Sequence, residues 1–132
     1  MYLLDTNILL ELLLNQAKAD EVDRLLREIP PDTLCLSDFS LASIGVILFR
    51  RKLHGIFLKA VDDLFLSGGL RIVRLDVVDM SKVLTSSKKY GLDYDDSYQY
   101  SIAEKYNLIL VSYDGDFDRT SRGRTTPTDI FR

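Results

Sequence analysis

The sequence has few of the residues that form disulfides or zinc sites. Its 132 residues include one cysteine, Cys35, and one histidine, His54. A single cysteine cannot form an internal disulfide, which fits the reducing cytoplasm. One cysteine and one histidine also cannot supply the Cys/His ligand set of a structural zinc site. Proteins stapled by internal disulfides and proteins with a Cys/His zinc cluster are therefore excluded.

Long apolar runs are also missing. No stretch approaches the ~18 consecutive apolar residues that indicate a membrane helix. No basic region precedes the apolar residues at the N-terminus, and no site typical of signal-peptide cleavage follows them. We therefore expect no membrane segment and a cytoplasmic location.

The composition is that of a globular protein. Hydrophobic residues make up 46% of the chain and charged residues 28%, which is enough for a core and argues against disorder. The length predicts one domain over residues 1–132, with no internal repeat and no low-complexity linker. The net charge of −3 does not suggest a protein that coats nucleic acid, although a local basic face stays open.

Short apolar runs alternate with segments of helical periodicity along the whole chain. The runs at 2–4, 34–36, 70–75 and 108–111 are predicted strands. Predicted helices cover 8–14, 17–29, 39–52, 56–66, 77–90 and 97–106. A short edge element is expected near Ile130-Phe131. This alternation predicts an α/β fold, a three-layer α/β/α arrangement around a short, mostly parallel sheet of about four or five strands.

Three acids are placed where a parallel α/β sheet gathers its functional groups. Asp5 follows the first strand, Asp114 follows the last, and Asp96 opens the helix that leads into the last strand. Thr6 and Asn7 can cap the helix after Asp5, so Asp5 is not needed for that role. If the strands are neighbours, the three carboxylates converge beyond the carboxyl edge of the sheet. Each of them alone is better explained as a helix or turn cap, and it is the three together that favour a common site.

Carboxylates held that close repel one another, and a cation relieves the repulsion. Oxygen ligands indicate a hard cation, Mg²⁺ or Mn²⁺. Such a centre typically serves phosphate chemistry, in which the metal activates a water molecule and stabilises the leaving oxygen. The acids therefore predict a metal-dependent hydrolase.

These pieces resemble the PIN-domain family, the fold of the toxin ribonucleases in VapBC-type toxin–antitoxin pairs. The resemblance is carried by Leu4-Asp5-Thr6-Asn7, by Asp96 and its helix, and by the run from Ser112 to Phe117. It covers nearly the whole chain, and the order and spacing of the pieces are more specific than any one of them.

The resemblance implies an endoribonuclease that hydrolyses RNA phosphodiester bonds with Mg²⁺ or Mn²⁺. It implies that Asp5, Asp96 and Asp114 are catalytic metal ligands. It also implies that Asp116 is an additional acid of the metal site, that Ser112 orients the site through its hydroxyl, and that Asn7 supports the site.

One position departs from the family pattern. The family carries a glutamate on the helix after the second strand, and Ser43 stands there in this chain. A hydroxyl is a weaker Mg²⁺ ligand, so metal affinity should fall unless Asp38, Asp93 or Asp95 substitutes. Asp38 lies about 140° around a helix from Ser43 and should face elsewhere. Asp93 and Asp95 flank Asp96 and are the better candidates.

The expected substrate and partners follow from the basic residues and from the resemblance. Arg119, Arg122 and Arg124 are candidates for contacts with an RNA backbone, because such contacts need cations. The family implies an antitoxin protein as partner and a homodimer. The apolar segments 8–14 and 44–49 would suit a dimer face, although a core face explains them equally well.

Two alternative functions were weighed. Ser43 favours a PIN-like module with weakened catalysis that binds RNA or a protein. A phosphoacceptor receiver domain is also α/β with acids at strand ends, but it needs a lysine after the last strand, where this chain has Ser112-Tyr113-Asp114.

Overall fold

The structure is a computed structural model that describes residues 1–132. A single parallel sheet forms its middle layer. Its strands are β1 (Tyr2–Leu4), β2 (Leu34–Ser37), β3 (Arg71–Val73) and β4 (Ile109–Val111). They lie in the order β3-β2-β1-β4, and every neighbouring pair is parallel. The predicted α/β/α fold with a parallel sheet is confirmed, with four strands.

Seven α-helices connect and cover the strands. They are α1 (Thr6–Leu13), α2 (Ala19–Glu28), α3 (Asp38–Arg50), α4 (His54–Ala60), α5 (Met80–Tyr90), α6 (Tyr94–Tyr106) and α7 (Pro127–Ile130). Single turns of 3₁₀-helix cover Pro31–Thr33, Val77–Asp79 and Gly115–Arg119. None of these helices has the length and apolar character that crossing a membrane requires.

Two predicted elements differ from the structure. The helix expected over 56–66 begins at His54 and continues beyond α4 as a π-helical segment, Val61–Leu66. The edge element expected near Ile130-Phe131 is wrong, because Pro127–Ile130 is a helix. Thr126 caps it by accepting a hydrogen bond from the Asp129 backbone N–H, and Pro127 occupies its first turn, where proline fits well.

The sheet has a separate core on each face. Leu3, Cys35 and Leu110 point to one face and pack with residues of α5 and α6. Leu4, Leu36 and Val111 point to the other face and pack with α1, α2 and α3. Because side chains alternate along a strand, one short strand can supply both cores. Both faces are thus covered by helices, as a parallel sheet requires.

The carboxyl ends of three strands lead directly into helical turns. β1 is followed by Asp5, the N-cap of α1, and β2 ends at Ser37, whose side chain caps α3. After β4, Asp114 caps the 3₁₀ turn Gly115–Arg119. The capping residues therefore collect polar side chains at one edge of the sheet.

Candidate active site at the carboxyl edge of the sheet

A cavity of about 480 Å³ opens at the carboxyl edge of the sheet. Polar and acidic side chains from α1, α3, α6 and the end of β4 line it together with a smaller apolar wall. Its polar lining comprises Asp5, Thr6, Asn7, Ser43, Asp95, Asp96, Gln99 and Asp114. The three acids that the sequence predicted to converge thus face one space.

Asp5 is buried at the base of this cavity, with 7% of its surface exposed. Its Oδ1 accepts hydrogen bonds from the Thr6 backbone N–H at 2.8 Å and from Gln99 Nε2 at 3.1 Å. Its Oδ2 accepts from Ser112 Oγ at 2.7 Å. The expectation that Asp5 is not needed as a cap is wrong, because this carboxylate both caps α1 and lines the cavity.

Burial raises the pKa of Asp5, and the negative charge of Asp114 raises it further. Hydrogen bonds from Ser112, Thr6 and Gln99 act in the opposite direction, because they stabilise the ionised form. The site therefore holds a desolvated carboxylate in a fixed orientation.

Asp96, Asp114 and Asp116 form the tightest acidic group of the molecule. Each offers a carboxylate oxygen, and these oxygens lie within 4.8 Å of one another. The pKa of Asp96 rises to about 7, first because of burial and then because of the negative charges of Asp114, Asp93 and Asp5. Three converging carboxylate oxygens fit the ligand preference of Mg²⁺ or Mn²⁺.

Ser112 and Asn7 connect the end of β1 to the end of β4. Ser112 Oγ donates to Asp5 Oδ2 and accepts from the Asp114 backbone N–H at 2.9 Å. Asn7 Nδ2 donates to Ser112 Oγ at 3.3 Å and lies 3.4 Å from Asp5 Oδ2. Asn7 Oδ1 accepts from the Tyr113 backbone N–H at 3.2 Å. These bonds fix Asp5 and Asp114 relative to each other.

The family model described as "PIN domain" matches residues 2–123. The chain belongs to the PIN domain family. A search of curated proteins by sequence found no significant match. The family assignment agrees with the resemblance predicted from the sequence and leaves the receiver-domain alternative without support.

Solved structures share the PIN fold at low sequence identity. A toxin–antitoxin complex from Klebsiella pneumoniae has a TM-score of 0.77 at 20% identity, over 96% of this chain and 98% of that chain. VapC20 of Mycobacterium tuberculosis, described as a sarcin-ricin loop cleaving toxin, has a TM-score of 0.75 at 20% identity, covering 92% and 95%. VapBC-1 of nontypeable Haemophilus influenzae has a TM-score of 0.71 at 21% identity, over 96% of this chain and 98% of that chain.

Within this PIN domain, Ser43 lies in the cavity lining on α3. Asp95 also lines the cavity, from the first turn of α6. Asp93 instead caps α6 by accepting a hydrogen bond from the Asp96 backbone N–H at 2.9 Å. Asp38 accepts from Tyr98 Oη at 2.9 Å and lines a different groove. Of the acids considered as substitutes for the family glutamate, Asp95 is therefore the one that lines the cavity.

The three arginines after the site all make intramolecular contacts. Arg119 donates to the carbonyl oxygens of Tyr90 and Gly91 at 3.0 and 2.9 Å. Arg122 donates to Asn107 Oδ1 and the Leu108 carbonyl oxygen, each at 3.1 Å. Arg124 donates to the Ser112 carbonyl oxygen at 3.0 Å and pairs with Asp118. These arginines hold the segment after β4 against the PIN domain, and their contact with RNA stays a prediction.

Sequence reasoning missed Gln99 and Ser40. Gln99 Nε2 donates both to Asp5 Oδ1 and to Ser40 Oγ, and Ser40 Oγ also accepts from Thr6 Oγ1 at 2.8 Å. A signal for Gln99 existed, because residues three apart on a helix share a face and Asp96 precedes it by three. Ser40 gave no such signal, since a serine in the first turn of a helix is ordinary.

Proposed function

We propose that this PIN domain is a metal-dependent endoribonuclease that hydrolyses RNA phosphodiester bonds, the toxin of a toxin–antitoxin pair. One observation carries the proposal: the carboxylate oxygens of Asp96, Asp114 and Asp116 lie within 4.8 Å of one another beside a cavity that Asp5 also lines. Such a set of oxygen ligands suits Mg²⁺ or Mn²⁺ better than softer metals.

The side chains of the site would have different roles. Asp96, Asp114 and Asp116 would hold the ion, and Asp5 would face it from the base of the cavity. When bound, Mg²⁺ or Mn²⁺ supplies a water activated at neutral pH and neutralises charge on the phosphodiester. Ser112 and Asn7 keep Asp5 and Asp114 in register through their hydrogen bonds. His54, the one histidine, does not line this cavity, so no imidazole base is available there.

The partners of the protein are part of the same proposal. Structures of this fold include toxin–antitoxin assemblies such as VapBC-1 and the complex from Klebsiella pneumoniae. By analogy, an antitoxin protein would bind this chain, and the chain would form a homodimer. RNA would approach near Arg119 and Arg124, which contact Asp116 and the Ser112 carbonyl oxygen beside the acidic cavity. Arg122, predicted with them, is bound to Asn107 and Leu108 before β4 and would contact RNA only away from the cavity. We expect these events in the cytoplasm.

Cleavage of a fluorescent single-stranded RNA tests the proposed reaction. We expect cleavage with Mn²⁺ or Mg²⁺, none with EDTA, and a loss of about a hundredfold or more in Asp114→Asn, since even groups that only support a metal ligand change activity by 10–100-fold. Asp20→Asn, on the exposed surface of α2, is the matched control and should retain full activity. Equal cleavage by the Asp114→Asn variant and the wild type would contradict the proposal.

A PIN module that binds without efficient catalysis is the second candidate, and Ser43 in the cavity lining favours it. Calorimetric titration with Mn²⁺ separates the two functions. The enzyme should bind the ion at submillimolar to millimolar concentration, whereas a module that has lost its metal site should show no binding heat over that range.

A further inference from the structure

Gln99 is the most deeply buried amide side chain at the site. It lies in the middle of α6 with 2% of its surface exposed, and it contributes to the cavity lining. Its Nε2 donates to Asp5 Oδ1 at 3.1 Å and also to Ser40 Oγ on α3. One amide nitrogen therefore joins the helix of Asp96 to the end of β1 and to α3.

The orientation of this amide follows from its partner. An ionised carboxylate accepts hydrogen bonds and cannot donate, so the nitrogen of Gln99 must face Asp5. The amide oxygen, Oε1, is then directed away from Asp5, and this buried atom has no hydrogen-bond partner in the protein. The buried oxygens of Ser97, Ser101 and Tyr113 are unpaired in the same way, so it is the hydrogen bond from Nε2 that links Gln99 to the acids.

Other contacts leave Asp5 little freedom. Asp5 Oδ1 accepts from the Thr6 backbone N–H and from Gln99, and Oδ2 accepts from Ser112. A carboxylate has about four acceptor positions, so these donors fix its plane. Gln99 is the donor that comes from α6, the helix that also carries Asp96. Loss of Gln99 would thus release Asp5 from the element that carries its neighbouring acid.

We propose that Gln99 is a positioning residue of this metal centre: its Nε2 holds the Asp5 carboxylate in the orientation in which it lines the cavity and ties it to the helix that carries Asp96. This inference rests on the proposed function, because it assumes that a cation binds at the acids.

Calorimetric titration with Mn²⁺ in the absence of RNA tests the inference. Gln99→Met keeps nearly the same volume and removes both the donor and the acceptor. We expect its Mn²⁺ affinity to fall about tenfold or more, the range found when a partner of a metal ligand is lost. Ser101→Ala is the matched control. It lies on the same helix, is also buried, also has an unpartnered side-chain oxygen, and lines a different cavity. Its affinity should stay within about twofold of the wild type, since it supports no ligand.

The outcomes of the titration distinguish a failure of the role of Gln99 from a failure of the nuclease proposal. Equal Mn²⁺ affinity in Gln99→Met and wild type overturns the role of Gln99 and leaves the nuclease proposal standing. No Mn²⁺ binding by the wild type overturns the nuclease proposal and this inference with it. If circular dichroism shows that Gln99→Met does not fold, Ser40→Ala decides, because it frees the amide from α3 while keeping Gln99. We expect it to weaken Mn²⁺ binding to a smaller extent, and an unchanged affinity overturns the inference.

Discussion

At the scale of single residues, the acids of this site combine a structural and a chemical role. Asp5 caps α1 and lines the cavity, and Asp114 caps the turn after β4 while belonging to the acidic group. Both roles use the same property, a carboxylate beside backbone N–H groups at a helix start. This overlap explains why the sequence could locate the acids but could not separate a cap from a metal ligand.

Asp96 should make the stability of the metal-free protein depend on pH. Its pKa is about 7 in the folded protein against an ordinary value of 3.8, so the folded state holds this proton more tightly than the unfolded state. The resulting stabilisation is complete below the ordinary pKa and is lost as the pH rises through about 7. Thermal unfolding in EDTA from pH 5 to pH 8 should therefore show the wild type losing stability relative to Asp96→Asn.

The same carboxylate must be ionised to bind a cation. The rise in melting temperature on adding Mn²⁺ should therefore grow from pH 5 to pH 8 in the wild type and be small throughout in Asp96→Asn. Parallel pH profiles for the two proteins in EDTA would show that Asp96 does not titrate as described.

Ser43→Glu should restore the charge that the family pattern places on α3. An added charged ligand strengthens binding of a hard cation, and we expect Mn²⁺ affinity to rise roughly tenfold. Without metal, the new carboxylate would repel Asp5 and Asp96, so the melting temperature in EDTA should fall. Ser43→Gln, similar in size and uncharged, is the control. An equal gain in affinity in both variants would contradict a charge effect.

At the scale of elements, the sequence predicted the strands and most helices because burial and periodicity are local properties. The helix predicted over 77–90 ends at the expected residue, because Gly91 follows it with a φ of 66°, which glycine adopts without strain. The π-helical segment Val61–Leu66 was not predictable, since its residues also fit a regular helix. Thr126 and Pro127 are a typical helix start, but α7 has only four residues, too few to show a helical periodicity in the sequence.

Gly91→Ala should destabilise the connection between α5 and α6. A side chain at a positive φ costs roughly 1–2 kcal/mol. The Gly91 carbonyl oxygen also accepts a hydrogen bond from Arg119, so the segment after β4 should loosen as well. Urea unfolding should show this loss. Gly55→Ala, in α4 with open space around the position of the added methyl group, should be neutral or slightly stabilising. Equal stability of the two variants would contradict the role of Gly91.

At the scale of the whole molecule, the sheet order β3-β2-β1-β4 brings the first and last strands side by side. The rule that parallel strands share a carboxyl edge predicts that Asp5 and Asp114 meet if their strands are neighbours, and the strand order of the structure meets that condition. Gln99 shares a helix face with Asp96 and could be predicted from that spacing, but its contact with Ser40 could not, because it depends on how α6 and α3 are rotated against the sheet. Acids that follow the ends of parallel strands can be found from the sequence, whereas buried hydrogen bonds between helices cannot.

The proposed homodimer predicts a specific interface. Val46 and Phe49 on α3 are 49% and 53% exposed and border an open apolar groove of about 600 Å³ that also includes Phe57 and Ile72. Phe49→Glu should convert a dimer to a monomer, because an unpaired charge would be buried in the contact. Light scattering after gel filtration measures this change. Leu84→Glu, 56% exposed on α5 across the sheet, should remain a dimer. A monomeric wild type would contradict the dimer.

The pairing of β1 with β4 has a consequence for synthesis on the ribosome. The hydroxyl that orients Asp5 belongs to Ser112, 107 positions later in the chain. A nascent polypeptide therefore lacks Ser112, Asp114 and Asp116 until almost all of the domain has been synthesised. If the chain is the proposed nuclease, it cannot assemble its cation site beside the ribosome that is making it, and it stays inert towards its own messenger until translation of the domain is nearly finished.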